Sequence, residues 1–428
     1  MYIQRNIYLN QLVSSLGNGR AKIVTGPRRS GKSFLVFHLF KDYLLKQGIK
    51  EDHIIELNLD SAKNISYRSP LAFASYFDKR HKSDGKTYYF LIDEIQFVES
   101  CPNPTIPDQK VTFYDALNQF LEYGDTEVIV TGSNSKRLSK DIATEFRGRG
   151  WQISRHPLSF LEFKEANGIL GLDDYRLWEL YYLYGGLPAV SQIPDIPSKR
   201  KYLEEVFNTT YRKDIIERYS LRQDTAISDI TKIVASSIGS LVNPMKIADT
   251  FLSKEKTSIS CQTIKRYLSY REDSFLVSRV DRYDIKGRRF IQANCKYYFE
   301  DRGLRNAAAG FNGDDQEPHF RENVIYNELI LRGYHVSIGT LSALEEGKRK
   351  DYEIDFVADR GDNKVYIQSA LRIPDQEKRT QEKRPFRKVK DSFKKVLVTK
   401  YSGSGLYDQD GILHLNLFDF LEHPNRIE

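Results

Sequence analysis

Gly26-Pro27-Arg28-Arg29-Ser30-Gly31-Lys32-Ser33 is the stretch whose residue types and spacing most directly imply chemistry. Its glycines let backbone N–H groups turn inward around phosphate oxygens. A helix that follows would aim its positive N-terminal end at the same charges. Lys32 would reach the β- and γ-phosphates, and the Ser33 hydroxyl would bind Mg²⁺, so ATP and Mg²⁺ are the expected ligands. Farther along, Tyr88-Tyr89-Phe90-Leu91-Ile92-Asp93-Glu94 is an apolar run ending in two carboxylates. Asp93 is placed to hold the Mg²⁺ through water and Glu94 to polarise the attacking water, a pairing that points to hydrolysis rather than kinase chemistry. Val128-Ile129-Val130-Thr131-Gly132-Ser133-Asn134 ends in small polar residues, of which Ser133 or Asn134 would contact the γ-phosphate and the water. Phe146-Arg147-Gly148-Arg149-Gly150 then offers two arginines on a glycine-rich turn. Either one, presented to a neighbouring subunit's γ-phosphate, would stabilise developing charge, which implies a homo-oligomer.

Positioning these groups requires a sheet. β-rich runs at Lys22–Thr25, Ile54–Asn58, Tyr88–Ile92, Glu127–Thr131 and Gln152–Arg155 alternate with helical patterns, notably Lys32–Gln47 and Thr112–Tyr123. That alternation predicts βαβ units and a parallel sheet over 1–155. A helical lid or linker with Tyr- and Leu-rich spacing is expected over 156–219, a winged helix over 220–310 and a further α/β domain over 317–428.

Asn243-Pro244 reads as an N-cap and first helical position leading into Met245–Leu252. Ser260 caps a second helix, Cys261–Arg271. A hairpin follows, with Val277–Tyr283 and Arg289–Ala293 joined by a turn at Lys286-Gly287. In that arrangement Lys265 and Arg266 face outward from the second helix toward a DNA groove, and Lys286, Arg288 and Arg289 meet phosphates from the hairpin tip. The basic stretch Glu377–Lys395 is a further candidate for nucleic acid, or a solvated helix face.

In the last domain Glu322 on a helix, Asp355 in a strand-like run and Gln368 on the next strand follow the order of the restriction-endonuclease-like fold. Nuclease chemistry there needs carboxylates for Mg²⁺ and a lysine to orient the nucleophile. Here Gln368 stands at a carboxylate position and Ala370 at the lysine position, so the site reads as vestigial and no nuclease activity is expected.

The composition bounds these readings. The chain has 428 residues, 27 Tyr and 24 Phe, enough to bury several cores. The net charge of +7 permits an anionic partner without requiring one. Cys101, Cys261 and Cys295 are too far apart for a CxxC pair and fit a reducing cytosol. No secretory leader is expected at Met1–Asn10. No apolar run approaches the roughly 18 residues of a membrane span, so a cytoplasmic protein without membrane contact is predicted.

With these residues in view, the chain resembles a widespread bacterial and archaeal family of AAA-type ATPases with a C-terminal region of unknown function. The pattern GPRRxGK[ST], LxDEIQ, TGS, GR and PLSFxE stands here as Gly26–Ser33, Leu91–Gln96, Thr131–Ser133, Gly148-Arg149 and Pro157–Glu162. Tyr184–Pro188, Lys296–Tyr298 with Asp301–Leu304, and Glu353–Phe356 continue it, so the resemblance covers essentially the whole chain. It implies a P-loop ATPase of the AAA superfamily and favours Arg149 over Arg147 as the finger. The expected class is therefore α/β: a parallel-sheet ATPase core with a helical lid, then a winged helix and a small restriction-endonuclease-like domain. Function is expected to be ATP hydrolysis that drives or switches the C-terminal modules, possible DNA binders, or else a slow nucleotide-gated sensor or scaffold.

Overall fold

The computed structural model describes the chain except residues 1, 2, 4, 83, 107, 133–147, 222–224, 255–257, 312–316, 346, 371–375 and 401–404. Two compact units emerge: residues 1–157 with 273–275, and residues 158–272 with 276–428.

The first unit is built on five parallel strands: β1 (Ala21–Thr25), β2 (Ile54–Asn58), β3 (Tyr88–Asp93), β4 (Thr126–Gly132) and β5 (Gly150–Ser154). Their spatial order is β2-β3-β4-β1-β5. Every residue of β1 and β3 is buried, as inner strands of a sheet covered on both faces are, with Lys22 of β1 paired to Glu127 of β4. On one face Phe77, Phe90 and Phe120 interlock, with ring centroids 4.6 to 5.1 Å apart. The Phe113–Glu122 helix starts at a capping box in which Asp115 accepts the Thr112 N–H at 2.7 Å. Because β1 is second from one edge, its C-terminal end lies between those of β4 and β5, and groups from both neighbours reach the loop that follows it.

The helical stretch after that loop differs from the uninterrupted α-helix expected over Lys32–Gln47. It runs as α-helix at Lys32–Phe34, as π-helix at Leu35–Phe40 and as α-helix again at Lys41–Lys46. The wider turn brings Leu35, Val36 and Phe40 into the core, a local register adjustment that hydrophobic spacing alone does not encode.

The second unit begins with helices and ends on an eight-stranded sheet. Helices at Thr225–Ser236, Pro244–Lys254 and Cys261–Asp273 precede a hairpin of β6 (Val277–Asp284) and β7 (Arg289–Phe299). Asn243 accepts the Met245 N–H at 2.9 Å and Ser260 the Thr263 N–H at 3.1 Å, so both capping residues act as their types dictate. The Glu317–Leu331 helix leads into an antiparallel meander of β8 (His335–Glu345), β9 (Lys348–Asp359) and β10 (Lys364–Ala370). The Gln376–Lys388 helix then precedes β11 (Lys394–Thr399), which pairs parallel with β10. β12 (Leu406–Tyr407) and β13 (Ile412–Asn416) complete the sheet, in the order β12-β13-β11-β10-β9-β8-β6-β7. β6 pairs parallel with β8, so the hairpin and the C-terminal strands share one continuous sheet rather than forming two separate ones.

Two segments far apart in sequence meet in this unit. The Asp301 carboxylate accepts the N–H of Gly186 at 2.7 Å and of Leu304 at 3.0 Å, tying the Tyr184–Pro188 turn to the start of the Arg302–Ala308 helix. Burial pushes this carboxyl up to about 6 against those N–H donors.

Candidate functional site

The loop Gly26–Ser33 follows β1 directly, and its backbone explains its composition. Gly26 has φ +142° and Gly31 has φ +90°, conformations that side chains rarely adopt, and Arg29 is also left-handed at +64°. A Cβ at Gly26 would lie 2.0 Å from the Arg155 carbonyl oxygen, and one at Gly31 would lie 3.1 Å from the Arg155 guanidinium. Gly26 is therefore required by the close approach of Arg155, the residue that follows β5, and Gly31 by its left-handed backbone.

Lys32 is buried and donates to the carbonyl oxygens of Gly26 at 3.0 Å and Pro27 at 2.9 Å, so its side chain folds back over its own loop. Burial pushes its ammonium down to about 8, against the pull of Glu94, with Arg28 also lowering it and Asp93 raising it. The Ser33 hydroxyl donates to Asp93 Oδ1 at 2.9 Å. The same carboxylate oxygen accepts the Thr131 hydroxyl, whose oxygen in turn accepts the Glu94 N–H at 3.0 Å. Burial raises the Asp93 carboxyl, and the Thr131 and Ser33 hydroxyls oppose that rise. Glu94 takes a left-handed conformation, φ +54°, and its carboxylate accepts a hydrogen bond from Gln96. The ends of β1, β3 and β4 thus bring Lys32, Ser33, Asp93, Glu94 and Thr131 together.

Three of these observations fit a Mg²⁺-nucleotide. Ser33 and Asp93 form a pair of hard oxygen donors in mutual contact, as Mg²⁺ favours. The positive φ of Gly26 and Gly31 bends the loop as backbone N–H groups must turn to surround phosphate oxygens. The Ser30 hydroxyl is buried with no hydrogen-bond partner among the described residues.

Two contributors were not evident from the motif. Thr131 bridges Asp93 and Glu94, although the sequence reading passed over it for Ser133 and Asn134. Those two, and Arg147, lie outside the described residues. Arg155, buried at the end of β5, donates from Nε to the Ser30 carbonyl at 2.8 Å, and its backbone N–H donates to Thr25 O at 2.8 Å. It therefore grips the loop at its root and in its middle. The pairing of β5 beside β1 is what brings it there.

Arg149 stands at the other end of β5. Its carbonyl accepts the Ala21 N–H at 2.9 Å, and its half-exposed guanidinium lies 3.8 Å from Glu122. With Ala21 registered on Gly150 and Thr25 on Ser154, about 17 Å of strand separates Arg149 from the edge that carries the phosphate loop.

In the second unit Lys265 and Arg266 are exposed on the Cys261–Asp273 helix while Ile264 and Leu268 are buried. Lys286, Arg288 and Arg289 are exposed at the hairpin turn. Glu322 and Asp355 both act on one buried lysine, Lys296, which the sequence did not single out as a site residue. Lys296 Nζ is 3.4 Å from Glu322 and 2.9 Å from Glu353. Burial opposes this ammonium, yet Glu322, Asp355 and Glu353 hold its titration above the usual lysine range. Gln368 Oε1 accepts the Asp355 N–H at 3.3 Å, and Asp355 Oδ2 accepts the Ser369 N–H at 2.7 Å.

A phosphate loop at the end of β1, with Asp93 ending β3, Glu94 following it and Thr131 near the end of the intervening β4, defines a P-loop protein of the AAA class. In agreement, residues 18–164 match the AAA domain, and residues 175–315 match a domain of unknown function (DUF8612). The chain is 34% identical to an uncharacterized protein of Haemophilus influenzae over 98% of both chains, and it belongs to the same family. An uncharacterized protein of Methanocaldococcus jannaschii is 27% identical, over 87% of this chain and 79% of that one. Among solved structures, the Aeropyrum pernix Orc1 protein in complex with DNA is similar at 10% identity and a TM-score of 0.33, covering 72% of this chain and 93% of that one. Cdc6p of Pyrobaculum aerophilum is similar at 14% identity and a TM-score of 0.30, covering 65% and 89%. Likeness at that level carries no argument about function. Among the described residues no helix is long and apolar enough to cross a membrane.

Proposed function

We propose that this protein binds ATP with Mg²⁺ and hydrolyses it, and that turnover drives or switches the second unit on a partner such as DNA. The observation that carries the reading is the hydrogen-bonded line Ser33–Asp93–Thr131–Glu94 beside Lys32. Ser33 and Asp93 would hold the Mg²⁺, which neutralises phosphate charge when bound. Lys32 would exchange the carbonyls of Gly26 and Pro27 for phosphate oxygens. Glu94, its backbone fixed through Thr131, would orient the attacking water, and Arg149 would act on the nucleotide of a neighbouring subunit in a homo-oligomer.

DNA is supported as a partner by the exposed Lys265, Arg266, Lys286, Arg288 and Arg289 on a helix–hairpin module of winged-helix type. The helix, three-stranded meander, helix and parallel strand from Glu317 to Thr399 support a restriction-endonuclease-like ancestry without nuclease chemistry. A second reading, a slow nucleotide-gated sensor, draws on Lys32 itself: phosphate must displace two hydrogen bonds the ammonium already makes. Phosphate release measured with and without duplex and single-stranded DNA, beside the mass of the assembly, separates the two. Strong stimulation favours the motor and slow, unstimulated turnover the switch. Absence of Mg²⁺-dependent hydrolysis would refute both.

A further inference from the structure

Lys296 on β7 is 3% exposed, and its ammonium pairs with carboxylates from two other elements, Glu322 on the Glu317–Leu331 helix and Glu353 on β9, while the charge of Asp355, also on β9, favours the lysine's protonated form. Glu322 is further held by the Tyr298 hydroxyl, which donates to it at 3.1 Å, and His319 Nδ1 lies 3.5 Å away. Two buried carboxylates, Glu322 and Asp355, with the part-exposed Glu353 beside them require a cation, and hard oxygen sets of this kind ordinarily take a divalent ion. Here the cation is supplied by the chain.

We propose that the Lys296 ammonium is the permanent counter-cation of this cluster, standing where a divalent metal ion would otherwise bind and making the site metal-independent. This rests on the reading of the second unit as a degenerate nuclease-like domain and gives it a cause beyond Gln368 and Ala370. A compact ammonium with three donors can satisfy several carboxylates at once, which a planar guanidinium could not do in the same space. A lysine that orients a nucleophile stands beside the ion and keeps a donor for water. Lys296 instead spends its contacts on the carboxylates themselves, from strand positions that fix its stem.

The test is Mn²⁺ binding by the full-length chain without nucleotide, read as the loss of free Mn²⁺ signal in electron paramagnetic resonance. Lys296→Ala should take up one more Mn²⁺ per chain than the wild type, and adding Asp355→Asn should return the count to the wild-type value. An unchanged near-ultraviolet circular-dichroism spectrum of Lys296→Ala reports that the tyrosine-rich second unit has folded. A folded Lys296→Ala that gains no ion overturns the proposal. If Lys296→Ala does not fold, the wild type and Asp355→Asn decide alone: their melting temperatures should respond identically to Mn²⁺, and a response lost in Asp355→Asn overturns the proposal. DNA cutting by the wild type that Lys296→Ala abolishes would make Lys296 a nuclease lysine and refute the inactive-nuclease reading as well. Failure to gain Mn²⁺ without any cutting would leave that reading standing.

Discussion

ATP affinity should depend on pH through Lys32. Its ammonium is held down to about 8 by burial, against an ordinary value of 10.5. Phosphate contact requires the charged form, so nucleotide binding takes up a proton once the pH exceeds about 8. Below that value the ammonium is already present and affinity should be flat. Above it, affinity should fall about tenfold per pH unit, or 1.36 kcal/mol each, until the pH reaches the higher pKa that phosphate confers. The sign for folding is opposite. Between about 8 and 10.5 the unfolded chain binds more protons than the folded one, so the nucleotide-free protein gains stability as pH rises through that window. Equilibrium titration with a fluorescent ATP analogue at fixed ionic strength reads the binding half. Lys32→Ala supplies the control: it should bind on the order of 10²-fold more weakly or worse, from lost charge-assisted contacts, and show no slope above pH 8. A flat wild-type profile, or an equal slope in Lys32→Ala, would refute the assignment, and wild-type affinity in the mutant would remove Lys32 from the site altogether.

Three further outcomes follow from the geometry. Arg149→Ala should retain nucleotide but lose roughly 10³-fold in turnover, by analogy with other arginine fingers. Mixing it with Lys32→Ala should restore activity at interfaces that pair an intact loop with an intact finger; no recovery in mixtures proven to co-assemble would make Arg149 structural. Gly26→Ala should lower the melting temperature and weaken ATP binding together, because its Cβ would meet the Arg155 carbonyl at 2.0 Å, a clash costing about 3 kcal/mol. Wild-type values for both would show that the Arg155 approach is not rigid. Plasmid incubated with the wild type and Mg²⁺ or Mn²⁺ should remain uncut, and cutting abolished by Asp355→Ala would make the nuclease reading the leading one.

How much of this was legible in the sequence depended on distance along the chain. The phosphate loop and the strands leading into it, Asp93 and Glu94 are local patterns: glycine spacing, apolar runs and a terminal carboxylate pair. The inner strands β1, β3 and β4 fall within a residue or two of their apolar runs because burial on both faces leaves that signature. Arg155 gave no such signal. Its role exists only because β5 lies beside β1, a pairing between segments more than a hundred residues apart, and an arginine at a strand end looks solvated until that neighbour is known. Lys296 was hidden in the same way. It belongs to a Lys-Tyr-Tyr run on β7, while its carboxylates come from a later helix and from β9, and only the shared sheet brings them together. The π-helical turn at Leu35–Phe40 marks a different limit, since its apolar spacing also suits an ordinary helix. Thr131 carries no signal of its own for a simpler reason: a hydroxyl within an apolar strand looks like any β-branched strand residue, and only its contact with Asp93 gives it a role.

Glu94→Gln, compared with the wild type, bears most directly on the claim that these strand ends form a hydrolytic site. The substitution keeps the size of the side chain and leaves Lys32, Ser33 and Asp93 untouched. Nucleotide binding and Mg²⁺-dependent phosphate release should be measured on the same full-length preparations, at matched protein concentration. Expected is ATP binding at near wild-type affinity with turnover slowed by on the order of 10²-fold or more. Phosphate release at the wild-type rate from Glu94→Gln would contradict the assignment of Glu94, and a wild type that binds no ATP would contradict the site as a whole.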